Sequence, residues 1–220
     1  MPLKFYAHPL SSYCQKALMA LYENDTPFEW RLLAAGDDAT MAELTAHWPL
    51  RKFPVLVDGA HPVREASIII EYLAVHYPGP VSLVPALADE ALEVRFMDRF
   101  FDNYISTPQQ RVVIDVLRGE APRDPAGVTE ARQMLETAYG WLDDVMRTRT
   151  WAAGERFSMA DCAAAPALFY AHWTHPIPAH LDAVHGYRQR LLARPSFARA
   201  VDEARPYRHL FPLPIPSDEA

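Results

Sequence analysis

Two domains, an α/β half of element order βαβαββα and an all-α helical bundle behind it, are predicted from three observations. Strand-like apolar runs alternate with helical periodicity only up to Pro78, no later segment reads as a strand, and a stretch with two prolines between Pro80 and Asp89 separates the two patterns. The length of 220 residues, half of them apolar, is enough to bury two cores. The expected division is residues 1–78, a linker over 79–88, and residues 89–220.

Leu3 to Ala7 is a short apolar run closed by His8-Pro9, and Cys14, Ala17, Leu18 and Leu21 then recur at helical spacing, so strand, loop and helix follow in that order. Pro27 to Leu33 predicts a second strand, and Asp37-Asp38 can start a short helix. Pro54 to Val57 and Ala60 to Val63 flank Asp58-Gly59, a dipeptide suited to the two positive φ angles of a tight hairpin, so these strands should be antiparallel. Ile68, Ile69, Tyr72, Leu73 and His76 mark one helical face, which Tyr77-Pro78-Gly79-Pro80 ends. In the second half helical patterns run over residues 88–117, 127–147, 159–173, 181–192 and 195–204. The stretch from Phe211 to Pro216 holds three prolines and is expected to lie extended over the surface.

A formal charge of −7 with scattered Lys and Arg argues against nucleic acid or an anionic membrane as partner. There is no cationic apolar leader at Met1 and no apolar run near the ~20 residues that cross a bilayer, so a soluble cytoplasmic protein is expected. Cys14 and Cys162 form no CxxC or metal-ligand spacing, and each reads as a small core residue. Four histidines, His172, His175, His180 and His185, are interrupted by Pro176 and joined by no carboxylate or cysteine, so no metal site is expected. No dinucleotide fingerprint, P-loop or nucleophile elbow occurs.

Three local motifs carry a resemblance. They are FYAHPLSSYCQKALMAL (Phe5 to Leu21), RKFPVLVDG (Arg51 to Gly59) continued by EASIIIEYL (Glu65 to Leu73), and GERFSMADCAA (Gly154 to Ala164). With the α/β half joined by a linker to a helical half, they resemble the cytosolic glutathione transferases of the serine-type classes, theta, zeta and phi. The resemblance spans the chain and implies a thioredoxin-like first domain, glutathione as co-substrate, a small hydrophobic electrophile as second substrate, and a homodimer.

Carried over residue by residue, the first motif matches Ser11 to the catalytic serine. A free thiol has a pKa near 8.5, and lowering it by two units takes ~2.7 kcal/mol of preferential thiolate stabilisation. A hydroxyl donating to sulfur at a helix N-terminus is a source for part of that. Ser12 is the neighbouring candidate for this role and for contact with glutathione. Both serines also suit helix capping, which needs no ligand. In the second motif Lys52 matches a basic position that contacts the tripeptide, and Pro54 a cis-proline that turns the backbone of Phe53 toward it. Glu65 suits the γ-glutamyl ammonium, or equally a charge favouring a helix start. At the next position Ala66 replaces the family's serine, so the amide remains but the hydroxyl donor is lost; Ser67 compensates only if the helix start shifts. The third motif is a capping box with Ser158 at the N-cap and Asp161 at N3, a folding device. Phe101, Tyr104 and Pro108, on the first long helix of the second half, are the candidates for the electrophile pocket. Two other readings stay open: a binding or assembly module that keeps the fold without the activity, and a glutathione-dependent peroxidase or disulfide reductase, which favours a cysteine where Ser11 stands.

Overall fold

The apolar run at the start of the chain becomes β1 (Leu3–Ala7), whose side chains are buried on both faces except Lys4. A strand buried on both faces belongs inside a sheet, and β1 lies between β2 (Phe28–Leu32) and β3 (Val55–Asp58), with β4 (His61–Arg64) outermost beyond β3. The computed structural model describes residues 2–216. β1 and β2 are parallel, with Leu3 opposite Phe28, and the connection between them is α1 (Ser12–Glu23). β3 runs antiparallel to both of its neighbours. After α2 (Asp38–His47) and the β3–β4 hairpin, α3 (Ala66–His76) completes a thioredoxin-like domain.

Two local expectations are corrected. The hairpin turns on Gly59 and Ala60, because Asp58 pairs with His61 inside the ladder and only Gly59 has a positive φ, +59°. Asp58 is held there by its carboxylate, which accepts from the hydroxyls of Tyr72 and Tyr77 at 2.9 and 2.6 Å. On α3 the buried face is Ala66, Ile69, Ile70 and Leu73, whereas Ile68 is 53% exposed. Three isoleucines in a row, Ile68 to Ile70, carry no phase, and packing on α1 selects the inward stripe.

The helical half begins with α4 (Ala88–Phe100), which passes through a π-helical segment (Phe101–Ser106) into α5 (Thr107–Leu117). α6 (Pro125–Met146), α7 (Met159–Thr174), α8 (Asp182–Leu192) and α9 (Pro195–Ala204) follow, then a single 3-10 segment, Arg205–Leu210. α7 is buried at every position except His172, as its nearly unbroken apolar run requires. Its start is fixed by Asp161, which accepts from the Ser158 amide (2.8 Å) and hydroxyl (3.1 Å), the Ala152 amide (2.8 Å) and the Tyr187 hydroxyl (2.6 Å). Phe211 to Pro216 forms no helix, and Phe211 packs on Trp173 and Tyr170. Among the described residues no helix is long and apolar enough to cross a membrane.

α1 joins the halves. Its run Cys14–Leu21 is buried against α3 on one side and α7 and α9 on the other. Burying Leu18, Met19 and Leu21 at 1% exposure or less contributes on the order of 1.5 to 3 kcal/mol each.

Candidate active site

A cleft of about 520 Å³ opens where three loops of the sheet domain meet the α4–α5 rod. Its walls are Ser11 and Tyr13 at the start of α1, Trp48 and Arg51 to Pro54 between α2 and β3, Glu65 and Ala66 at the start of α3, and Arg99, Asp102, Asn103 and Gln110 from the helical half.

Ser11 is the N-cap of α1, in extended backbone (φ −82°, ψ 123°), and its Oγ accepts a long bond from the Cys14 amide, 3.4 Å. The loop before it is pinned by the Ser11 amide donating to the His8 carbonyl (3.0 Å) and by Gln15 Nε2 donating to the Pro9 carbonyl (2.9 Å). Capping uses a lone pair of the Ser11 hydroxyl and leaves its proton available to a group in the cleft. Cys14 itself is inert: burial pushes its thiol up to about 12, against which Ser11 and the His8 backbone pull weakly, and it is fully buried. Cys162, also fully buried, is pushed well above the ordinary thiol range by the same cause. Tyr13 stays a neutral donor, since burial and then the charge of Asp102 raise its phenol to about 12.

The Phe53-Pro54 peptide is cis, and both residues border the cleft with the exposed Arg51 and Lys52. Glu65 holds φ at +68° and Arg51 at +53°, so two of the three non-glycine residues in this left-handed region among those described lie in the cleft walls. Such backbone costs ~1 to 3 kcal/mol and gathers at ligand sites. Glu65 caps α3 without a side-chain bond, so the first amides of that helix have no side-chain cap. Its carboxylate accepts no bond from the described residues, although it is exposed beside them.

Behind the cleft lies a charge cluster that the sequence reading did not single out. Lys16, 1% exposed, places Nζ 2.7 Å from Asp98 Oδ1 and 2.8 Å from Asp102 Oδ2, and donates to Ser67 Oγ at 2.9 Å. Ser67 in turn donates to Asp98 Oδ2, 2.7 Å. Arg99 donates to the same three groups, Ser67 (2.6 Å), Asp98 (2.8 Å) and Asp102 (2.5 Å). Burial raises the Asp102 carboxyl above the ordinary range, and Lys16 opposes this. The available signal was Asp98 and Asp102 at i and i+4, one carboxylate above the other on an otherwise apolar helix face.

Of the residues singled out from sequence, the cleft brings together Ser11, Lys52, Phe53, Pro54, Glu65 and Ala66. Ser12 is the first residue of α1 and does not line it. Ser67 does not line it either, because its hydroxyl is committed to the cluster. None of the three electrophile-pocket candidates lines this cleft. Phe101 is completely buried beside Phe100 and Tyr187, Pro108 is buried, and Tyr104 is exposed on an outer patch against Phe100. Arg99, Asp102, Asn103 and Gln110, which do line it, fall on one helical stripe along this rod, on a different side from positions 101, 104 and 108.

Comparison with known proteins agrees with this arrangement. Residues 5–81 match the model of the glutathione S-transferase N-terminal domain, and residues 125–193 that of the glutathione S-transferase C-terminal domain. FtsZ-localized protein A of Caulobacter vibrioides is 29% identical over 199 residues, 86% of each chain. Human glutathione S-transferase theta-1 is 26% identical over 207 residues, 88% of this chain and 83% of that one. Among solved structures, a glutathione S-transferase of Methylobacterium radiotolerans in complex with glutathione sulfonate is 29% identical, with a TM-score of 0.78 over 91% of this chain and 94% of that one. Two domain models of one family, in the order and places that the two halves of this fold require, lead to one conclusion: the chain belongs to the glutathione S-transferase family.

Proposed function

We propose that this protein is a cytoplasmic glutathione transferase in which Ser11 holds bound glutathione as its thiolate for attack on an electrophile. The observation that carries the reading is the place of the Ser11 hydroxyl, at the N-terminus of α1 and in one cleft with the cis Phe53-Pro54 peptide and the uncapped start of α3. A thiolate there meets a hydroxyl donor and the positive end of a helix, and the tripeptide backbone has Phe53 to pair with. The α4–α5 wall offers Asn103 and Gln110 where aromatic residues were expected, which favours an electrophile with hydrogen-bonding groups over a purely apolar one.

Ser11→Ala tests this reading. It is expected to raise the pKa of the bound thiol by about one unit, seen in the ultraviolet thiolate titration, and to lower conjugation at neutral pH with little change in glutathione affinity at low pH. Loss of the cap also removes ~1 kcal/mol of stability, so the assay is run well below the melting temperature. A wild type that is not retained on immobilised glutathione, or an unmoved titration in Ser11→Ala, refutes the assignment.

Homodimerisation belongs to the same proposal. Phe96, Tyr104 and Trp141, each at least 40% exposed, join Phe100 in one aromatic patch on α4, the π segment and α6, with Trp141 4.5 Å from Phe100 and 6.0 Å from Phe96. Exposed aromatic patches of this kind mark interfaces. Light scattering is expected to give twice the chain mass of 24.9 kDa, and Phe96→Glu with Trp141→Glu to give the monomer.

A second reading, a binding or assembly module without the chemistry, has Ala66 in its favour and a relative whose name places it with FtsZ. Disulfide or peroxide chemistry through a cysteine finds no support in Cys14, buried and with its thiol near 12.

A further inference from the structure

The loss of a hydroxyl at Ala66 leaves the glutathione reading short of one donor for the carboxylate of the γ-glutamyl head. The structure puts a stronger donor beside the gap. Arg99 comes from the helical half, borders the cleft with Ala66 and Glu65, and bonds the hydroxyl of Ser67, the next residue, at 2.6 Å. All its bonds to described residues are made through Nε and Nη2, so Nη1 has no partner among them, and the side chain is 53% exposed. Arg99 is thus fixed along one edge and open to the cleft along the other, which is the posture of an arginine prepared for a carboxylate.

Charge balance supports the same conclusion. Lys16 and Arg99 offset Asp98 and Asp102, so the cluster is neutral as it stands. The head of a γ-glutamyl group is a zwitterion, with one charge for Arg99 and the opposite one for the unengaged carboxylate of Glu65 on the same wall. We propose that Arg99 binds the α-carboxylate of the γ-glutamyl head, in place of the hydroxyl that Ala66 lacks. This rests on the glutathione reading of the cleft.

Calorimetry of the full chain with two tripeptides tests it: reduced glutathione, and 4-aminobutyryl-cysteinyl-glycine, which lacks only the α-carboxylate. The wild type is expected to prefer glutathione, and Arg99→Gln to weaken glutathione about ten- to a hundredfold while shifting the analogue by less than about threefold. Arg99→Lys keeps the charge without the fork and is expected to show the same contrast in smaller measure, which covers the case in which the glutamine variant does not fold. Equal weakening of both ligands would mean that Arg99 only maintains the cleft's shape, and no weakening of either would mean that it is a bystander; both overturn the proposal. A wild type that binds neither tripeptide removes the reading underneath it, which is a separate result.

Discussion

Replacing Asp161 by alanine is expected to cost about 4 kcal/mol of folding stability, an effect at the upper end for a single substitution. The carboxylate is completely buried and accepts four bonds, from the amides of Ala152 and Ser158 and the hydroxyls of Ser158 and Tyr187. Alanine leaves those donors inside the protein without acceptors, and each unsatisfied group costs ~1 to 3 kcal/mol, offset in part because the charge no longer has to be buried. That offset is real here: burial raises the Asp161 carboxyl above its ordinary range despite all four bonds. Urea denaturation measures the loss, and the melting temperature should fall by ~8 to 16 °C for a chain of this size. Asp161→Asn, which keeps one acceptor oxygen, should recover part of it. A loss under about 1 kcal/mol for alanine would show that the α7 start is held by apolar packing and that the capping bonds add little.

This residue was legible in the sequence because its role is local. Ser158 and Asp161 stand three apart at the head of an apolar run, and the chemistry that closes a helix start operates over that distance. The same holds for the cleft residues on loops. Ser11 follows a strand closed by His8-Pro9, and Phe53-Pro54 precedes β3, so each lies in a short motif that the family resemblance could match locally. Where the pattern ran out, the cause was tertiary. The apolar run on α3 had no phase of its own, and its inward stripe is set by α1. The helical wall of the cleft was sought among aromatic residues, but packing takes Phe101 into the core and leaves the polar stripe of Arg99, Asn103 and Gln110 facing the cleft. The partners of Lys16, Ser67, Asp98 and Asp102, lie 51 to 86 positions away, and no local signal reports a pairing at that separation.

Lys16→Met is accordingly the substitution that the sequence would not have suggested and from which the structure predicts a large effect, a loss of about 3 to 5 kcal/mol at neutral pH. Methionine fills a similar volume, so the loss reports charge and not a cavity. It strips the buried carboxylates of their buried cation and leaves them facing each other with only the half-exposed Arg99 as counterion. The pH dependence gives the test its sign. Burial already raises the Asp102 carboxyl, and Lys16 is the largest influence pulling it down, so the variant should raise it further. An acid whose pKa is higher folded than unfolded binds more protons in the folded state, and its ionised form lowers stability as pH rises through the folded value. The deficit of Lys16→Met should therefore be greatest near pH 7 and shrink as the pH falls through the raised folded value toward ~3, where the carboxyl is protonated in both states. Loss of a merely packed side chain would be independent of pH over this range. Adding Asp98→Leu to Lys16→Met removes the second member of the pair, leaves Asp102 paired with Arg99, and should recover most of the stability at neutral pH, because an ion pair deleted whole leaves no unpaired buried charge behind. If the double variant is as unstable as the single one at pH 7, the cluster does not hold the two domains together through its charge, and the apolar contacts of α1 carry that interface alone.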